Sequence, residues 1–215
     1  MRVPLGFVIL WLASWHVVAA DDIIALAGGR IIDGLAEQPL KDSVILVQGE
    51  RITGITNRAE IPDGATVIDL GEVTLLPGLI DSHAHPLMAE DDYQTFHLQK
   101  SSAYKALKGY RGMQNQLAAG WTTLRIAGDG DVFYANQDLE QLRREGVIHI
   151  PRLFGAAHYL SITGGGGDLN YFSPEQGLHA DGLVVDGPEE IRKAIRAEAK
   201  YGSDWVKVLV TGAFM

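Results

Sequence analysis

Two histidines, His83 and His85, are the residues of this chain best suited to chemistry. They stand at the end of an apolar run, residues 73–80, that is short and rich in β-formers. Such a run is typical of a strand buried on both faces of a parallel sheet. Side chains two apart on a strand point the same way, so the two imidazoles would form half of a zinc-type site. A polar strand end with two solvated histidines is the alternative.

A second residue suited to chemistry is Lys207, a charged residue type that lies inside the apolar run 205–210. Burial disfavours the charged form of a lysine and lowers its pKa. A neutral amine can add carbon dioxide and become a carbamate, whose two oxygens can bridge two metal ions. The alternative is a lysine at a strand end whose amine extends to water.

The elements that must position these residues alternate between strands and helices from residue 72 onward, which predicts βα units and a parallel sheet. We predict strands over 73–82, 121–126, 152–157 and 204–211, and helices over 98–117, 138–144 and 188–200. Residues 23–70 instead predict short strands separated by glycine turns. These strands cover 23–26, 30–32, 43–47, 51–55 and 66–70.

The first twenty residues have the pattern of a secretory signal peptide. Arg2 precedes an apolar run, and the small residues Val18 and Ala20 precede Asp21. This order predicts cleavage after Ala20, with a retained membrane anchor as the alternative. The chain contains no cysteine, which excludes a disulfide framework. We expect a periplasmic or secreted protein that is not attached to a membrane after signal cleavage.

The charge balance argues against nucleic acid as a partner. The chain carries 18 basic and 27 acidic residues, a net charge of −9. Binding to phosphates requires a basic surface, which this composition does not supply.

The segment 77–85, Pro-Gly-Leu-Ile-Asp-Ser-His-Ala-His, resembles the first-strand signature of the amidohydrolase superfamily. These enzymes are metal-dependent hydrolases built on a (β/α)8 barrel. The resemblance implies an α/β fold, in which part of a small β-sandwich over 21–71 precedes the N-terminal half of a TIM-type barrel over 72–215. A complete barrel takes about 250 residues. We therefore expect this sequence to be a fragment or a prematurely ended reading frame.

The resemblance also implies a set of metal ligands. His83, His85 and a carboxylated Lys207 would hold two divalent ions, expected to be zinc, with the carbamate as the bridge. Such ions activate a water that attacks the carbonyl of a C–N bond. The family's remaining histidine ligands, on strands five and six, would lie beyond Met215. The same holds for the strand-eight aspartate that transfers the proton, so no catalytic residue is assigned.

A glycine-rich loop, residues 161–168, resembles the Thr-Gly-Gly-His-Gly-Asp segment of Xaa-Pro dipeptidases and imidazolonepropionase-like amidohydrolases. We predict that Gly165 and Gly166 contact the substrate, together with His158 at the end of the predicted third strand. Gly166 stands where that pattern has His, and Ile126 replaces an Asp expected in the second strand. A phosphate-binding loop is discounted because no Gly-Lys-Ser/Thr follows.

The expected function is hydrolysis of an amide or dipeptide-like C–N bond in a small-molecule or dipeptide substrate. Two alternatives remain open. One is a cyclic-amide hydrolase of the imidazolonepropionase kind. The other is a catalytically inactive half-barrel, whose unpaired sheet edge would favour association into a homo-oligomer.

Overall fold

The computed structural model of this protein describes residues 22–88 and 90–212. The chain divides into two compact units on either side of the Pro77–Gly78 bond. The predicted signal peptide, residues 1–20, lies outside the described residues. None of the helices in the described ranges is long and apolar enough to cross a membrane.

The first unit consists of short strands in two small sheets. The strands are β1 (Ile23–Ala27), β2 (Arg30–Ile31), β3 (Leu40–Lys41), β4 (Ser43–Gln48), β5 (Arg51–Asn57), β6 (Thr66–Asp69) and β7 (Thr74–Leu75). One sheet has the order β5-β4-β1-β6 and the other β3-β2-β7. Ala25, Ala27 and Val44 form the buried core of this unit. The five predicted strands are confirmed, whereas the two-residue β3 was not predicted.

The second unit alternates between strands and helices, as predicted for an α/β fold. Its elements are β8 (Leu79–Ala84), α1 (Tyr93–Gln99), α2 (Ser102–Ala118), β9 (Trp121–Ala127), α3 (Ala135–Arg144), β10 (Arg152–Ala156), β11 (Tyr159–Ser161), β12 (Leu183–Val184), α4 (Gly187–Lys200) and β13 (Lys207–Leu209).

All strand pairs of the second unit are parallel. One sheet has the order β10-β9-β8 and the other β12-β11-β13. Only Ala157 and His158 separate β10 from β11. Leu124 and Ile126 of β9 are buried in a core with Met113 of α2 and Leu139 of α3. The helices therefore pack against one face of the sheet. The pairing of β8 with β9 brings the carboxyl ends of these strands side by side.

The predicted first strand, 73–82, is wrong as a single element. It is divided between β7, which pairs with β2, and β8, which pairs with β9. Pro77, which lacks an N–H donor, stands between them. Burial on both faces is also wrong, because Ile80 is 65% exposed. In the described part of the chain, β8 is also an edge strand, with β9 as its neighbour on one side.

Two other predictions require correction. The predicted helix over 98–117 is divided into α1 and α2, because Ser101 caps α2 by accepting a hydrogen bond from the Tyr104 N–H (3.3 Å). The predicted strand 204–211 is reduced to the three residues of β13. Asp204 instead bonds through its N–H to the Gly155 carbonyl, and through its carboxylate to the Gly155 N–H.

Candidate functional site

The two histidines of the predicted pair meet at the carboxyl end of β8. His83 lies within the strand and His85 directly follows it. Their Nε2 atoms are 3.1 Å apart. Two imidazole nitrogens that bind one zinc ion at about 2.0–2.1 Å lie about 3.3 Å apart when the coordination is tetrahedral. The observed separation therefore fits two ligands of a single metal ion.

The orientation of the His85 ring is fixed by the chain that follows β9. Its Nδ1 lies 2.6 Å from the carbonyl oxygen of Gly128. A carbonyl can only accept, so Nδ1 carries the proton and Nε2 keeps the lone pair. Metal-binding histidines generally hold their second nitrogen in this way.

The surroundings also keep His85 neutral, which is the form that a metal ion binds. Burial lowers the pKa of His85, and the hydrogen bond to Gly128 opposes this effect without reversing it. The strand itself is held by Asp81, whose carboxylate accepts the backbone N–H of His83 at 3.0 Å.

Lys207 is the first residue of β13 and pairs in register with Tyr159 of β11. Its side chain is half-buried. Within 22–88 and 90–212, no three His, Cys, Asp or Glu side chains come together as a metal site. Carboxylation of Lys207, which would supply a third ligand, stays a prediction. The two imidazole nitrogens are the donors that the structure brings together.

The predicted substrate loop forms a tight turn held by one hydrogen bond within the loop and one to a residue outside it. The Gly165 N–H donates to the Ile162 carbonyl (2.8 Å), and the Gly166 N–H donates to the Thr211 carbonyl (3.2 Å). A Cβ atom on Gly165 would lie 2.4 Å from the Ser161 hydroxyl, so the turn requires glycine there. The loop is thus tied to the segment that follows Lys207, while substrate contact by Gly165 and Gly166 stays a prediction.

The His158 side chain is buried against a carboxylate rather than solvated at a strand end. Its Nδ1 lies 2.7 Å from the Glu198 carboxylate, and both side chains are 1% exposed. The Tyr134 ring packs edge-on against it at 4.8 Å between centroids. His158 lines a cleft of 790 Å³, whereas His83, His85 and Lys207 do not. Its contact with a substrate at the imidazole pair stays a prediction.

Sequence reasoning missed Asp129, a buried residue that holds together the two segments next to the imidazole pair. Its carboxylate accepts the N–H groups of Leu87 (2.9 Å) and Gly130 (3.2 Å). It therefore joins the segment after His85 to the segment after Gly128. Burial raises the pKa of Asp129 to about 8. The available signal was its position, since an acidic residue directly after a parallel strand lies at the edge where such sites form.

A second missed feature is the buried ion pair of Lys105 and Asp131. The Lys105 amine lies 3.2 Å from the Asp131 carboxylate, 2.7 Å from the Gly130 carbonyl and 3.1 Å from Nδ1 of His97. Nδ1 of the buried His97 is therefore in contact with the Lys105 amine. Lys105 precedes the buried Gly109 and Met113 by four and eight residues, and this spacing was the signal that it faces inward.

No protein-family model matches the chain. The ochratoxinase of Aspergillus niger is 26% identical over 223 residues, which cover 93% of this chain and 45% of that enzyme. The dihydroorotase of Mycobacterium leprae is 42% identical over 66 residues, or 31% of this chain and 15% of that protein.

Solved structures agree with these sequence similarities. A prolidase in complex with N-methylphosphonate-L-proline has a TM-score of 0.75 at 29% identity, covering 86% of this chain and 46% of that one. A Xaa-Pro dipeptidase with bound methionine has a TM-score of 0.73 at 29% identity, covering 89% and 48%. The chain is a relative of the amidohydrolases. This confirms the resemblance inferred from residues 77–85. The chain spans about half the length of the ochratoxinase, the prolidase and the Xaa-Pro dipeptidase.

Proposed function

We propose that this chain carries part of the active site of a metal-dependent amidohydrolase that cleaves a C–N bond in an amide or dipeptide-like substrate. The observation that carries the proposal is the approach of the His83 and His85 Nε2 atoms to 3.1 Å, with His85 oriented by the Gly128 carbonyl. The similarity to prolidases and to ochratoxinase supports the same class of reaction.

We propose that the second unit forms the first half of a (β/α)8 barrel, with β8, β9, β10/β11 and β13 as its first four strands. The small sheets of the first unit would be part of an accompanying β-sandwich. The parallel pairing of these strands and the connecting helices support this arrangement. The carboxyl ends of the strands, where the imidazole pair lies, are the active face in such barrels.

In this proposal the chain's own residues hold and orient the metal centre. His83 and His85 would each supply Nε2, while Gly128 keeps the proton on Nδ1 of His85. Lys207, as a carbamate, would bridge two divalent ions, with zinc expected. Bound metal ions supply a water of lowered pKa and polarise the substrate carbonyl. Gly165, Gly166 and His158 remain the proposed substrate contacts.

The proposal includes the cellular setting predicted from the sequence. Residues 1–20 would direct export, and the mature protein would act in the periplasm or outside the cell on a small molecule or dipeptide. An acidic composition without cysteine is compatible with that setting.

The test is hydrolysis by the polypeptide that carries this sequence, isolated from its source organism. A panel of Xaa-Pro dipeptides, N-acyl amino acids and a cyclic amide would be assayed with zinc, after chelation and after zinc is restored. The expected result is cleavage of an amide that chelation abolishes and zinc restores. His85→Ala should abolish it as well, whereas His149→Ala, which changes an exposed histidine, should not.

Three outcomes would change the assignment. Cleavage that survives both chelation and His85→Ala would contradict a metal centre at this pair. Preferential cleavage of the cyclic amide would favour the imidazolonepropionase-like alternative. Lack of cleavage across the panel would favour the inactive alternative.

A further inference from the structure

Arg125 of β9 points to the same face of the sheet as the imidazole pair. The residues before and after it on the strand are buried in the core against α2 and α3. Because side chains alternate along a strand, Arg125 faces the other way. Ala84 of β8 is buried in the same core and pairs with Ile126. His83 and His85 flank Ala84 in the sequence and therefore lie on the Arg125 face.

The register of the two strands puts Arg125 level with the first of these histidines. Directly before the pair Ala84–Ile126, β8 has two residues, Ser82 and His83, where β9 has Arg125 alone. Neighbouring strands are about 4.8 Å apart. A guanidinium at the end of a long side chain on β9 is therefore close enough to reach a molecule held at the imidazole pair.

An aromatic side chain holds the guanidinium near the carboxyl ends of the strands. Cζ of Arg125 lies 4.7 Å from the centroid of the Trp205 ring, a cation–π contact. The indole N–H of Trp205 donates to the Ile126 carbonyl (3.3 Å), and the Phe154 ring packs edge-on against the indole at 5.0 Å between centroids. The Ile126 carbonyl is two residues before that of Gly128, which orients the imidazole pair. The indole is thus fixed by the same turn that fixes the site.

The donor groups of Arg125 are not used by the rest of the described chain. Its side chain is exposed and forms no hydrogen bond or ion pair with residues 22–88 or 90–212. Two acids adjoin this face, and each accepts a backbone N–H instead. Asp81 accepts that of His83 (3.0 Å). Asp204 accepts that of Gly155 (2.8 Å). The contact with the indole uses the face of the guanidinium, so the N–H groups around its edge are available.

We propose that Arg125 binds a carboxylate of the substrate. The substrate class is then an amide with a free carboxylate close to the scissile C–N bond, such as a dipeptide or an N-acyl amino acid. This inference rests on the proposed function, because it takes the imidazole pair as the place where the scissile carbonyl is held. A guanidinium donates two parallel N–H···O bonds to one carboxylate, and a neutral amide cannot accept both. The contact with Trp205 reduces the side-chain freedom that Arg125 loses on binding.

The test compares acids with their neutral amides in a binding experiment that does not depend on hydrolysis. The polypeptide that carries this sequence is titrated calorimetrically at low salt, with chelator present so that no metal ion binds the probe or cleaves it. The probes are N-acetyl-L-leucine with N-acetyl-L-leucinamide, and Ala-Pro with its C-terminal amide. We expect at least one acid to bind at least about threefold more tightly than its amide. This factor is modest because an exposed guanidinium is screened by solvent.

Variants assign the preference to one side chain. Arg125→Gln should abolish the difference between acid and amide, whereas Arg125→Lys should keep part of it, since an ammonium attracts a carboxylate without two parallel bonds. Arg152→Gln is the matched control and should keep the whole difference. Arg152 is an exposed arginine that alternation places on the same face, but it stands at the amino end of β10.

Hydrolysis of the same pairs is measured separately with zinc restored. If the acids are cleaved, Arg125→Gln should raise their KM and leave that of the amides unchanged. If neither pair is cleaved but the preference depends on Arg125, the proposed function fails and the carboxylate site is confirmed. Three results would overturn the inference: no saturable binding of either acid, equal affinity for acid and amide in both pairs, or equal losses in Arg125→Gln and Arg152→Gln.

Discussion

Gly128→Ala should damage both stability and metal binding, because this residue has no space for a side chain. Its φ is +81°, a conformation that favours glycine. A Cβ atom would lie 2.6 Å from the Tyr159 nitrogen, 2.7 Å from the Tyr159 ring and 2.9 Å from the His158 carbonyl carbon. These neighbours include main-chain atoms, so the strain must be relieved by moving the backbone of Gly128 or of residues 158–159.

The expected loss can be estimated from these contacts. Alanine in the left-handed region costs about 1–2 kcal/mol. Overpacking against fixed atoms adds about 1–3 kcal/mol, for a total of roughly 2–5 kcal/mol in the free energy of unfolding. Any shift of residue 128 also moves the carbonyl that holds Nδ1 of His85. Loss of such a supporting hydrogen bond typically reduces metal affinity about 10–100-fold.

Two assays on the full chain measure these effects: urea unfolding, and competition for zinc with a chromophoric chelator. Gly182→Ala is the matched control. Its Cβ would lie 2.4 Å from the opposite edge of the same Tyr159 ring, but Gly182 does not contact His85. The control should lose stability and keep its zinc affinity. The reasoning fails if Gly128→Ala retains wild-type zinc affinity, or if Gly182→Ala loses as much affinity as Gly128→Ala.

Three further substitutions test the support around the site by urea unfolding. Burial raises the pKa of Asp129 to about 8. The contribution of its protonated form to stability is therefore complete below about pH 4, the pKa in the unfolded chain. As the pH rises from there toward 8, the free energy of unfolding falls by up to about 1.4 kcal/mol per pH unit. Asp129→Asn should remove that slope, and parallel pH profiles would contradict it. Lys105→Met, which leaves the buried Asp131 without its cation, should cost about 3–5 kcal/mol. Lys108→Met, which breaks the solvent-accessible pair with Glu90, should cost less than about 1 kcal/mol. Equal losses would contradict the buried pair. Ser101→Ala should cost about 1 kcal/mol through loss of the α2 cap, and no change would refute the cap.

Much of the fold could be predicted from the sequence because its signals are local. Glycine turns mark the strands of the first unit, and the alternation of apolar strands with amphipathic helices predicts the parallel sheet of the second. The break between α1 and α2 was missed because a single hydroxyl, Ser101, ends the continuity of the pattern. The break at Pro77 was missed because the apolar run continues across it, although β7 and β8 pair in different sheets.

The imidazole pair was predictable because both histidines are on one strand, two residues apart. The groups that orient and support it were not. Gly128 acts through its backbone carbonyl, a group that every residue has, so the residue type does not indicate this role. The carboxylate that contacts His158 was also not predictable, because Glu198 lies 40 residues away along the chain and only the folded structure brings helix α4 against the end of β10. Its sole local sign is its position four residues after the buried Ala194.

The central claim is that His83 and His85 jointly hold a divalent metal ion, and zinc affinity of the full chain tests it most directly. Competition with a chromophoric chelator would be measured for the wild type, His83→Ala, His85→Ala and the control His149→Ala. We expect His83→Ala and His85→Ala each to lose at least about tenfold in zinc affinity. Loss of a group that merely supports a ligand already costs about tenfold, and loss of the ligand itself should cost no less. We also expect wild-type affinity in the control. Wild-type zinc affinity in either His83→Ala or His85→Ala would contradict the claim.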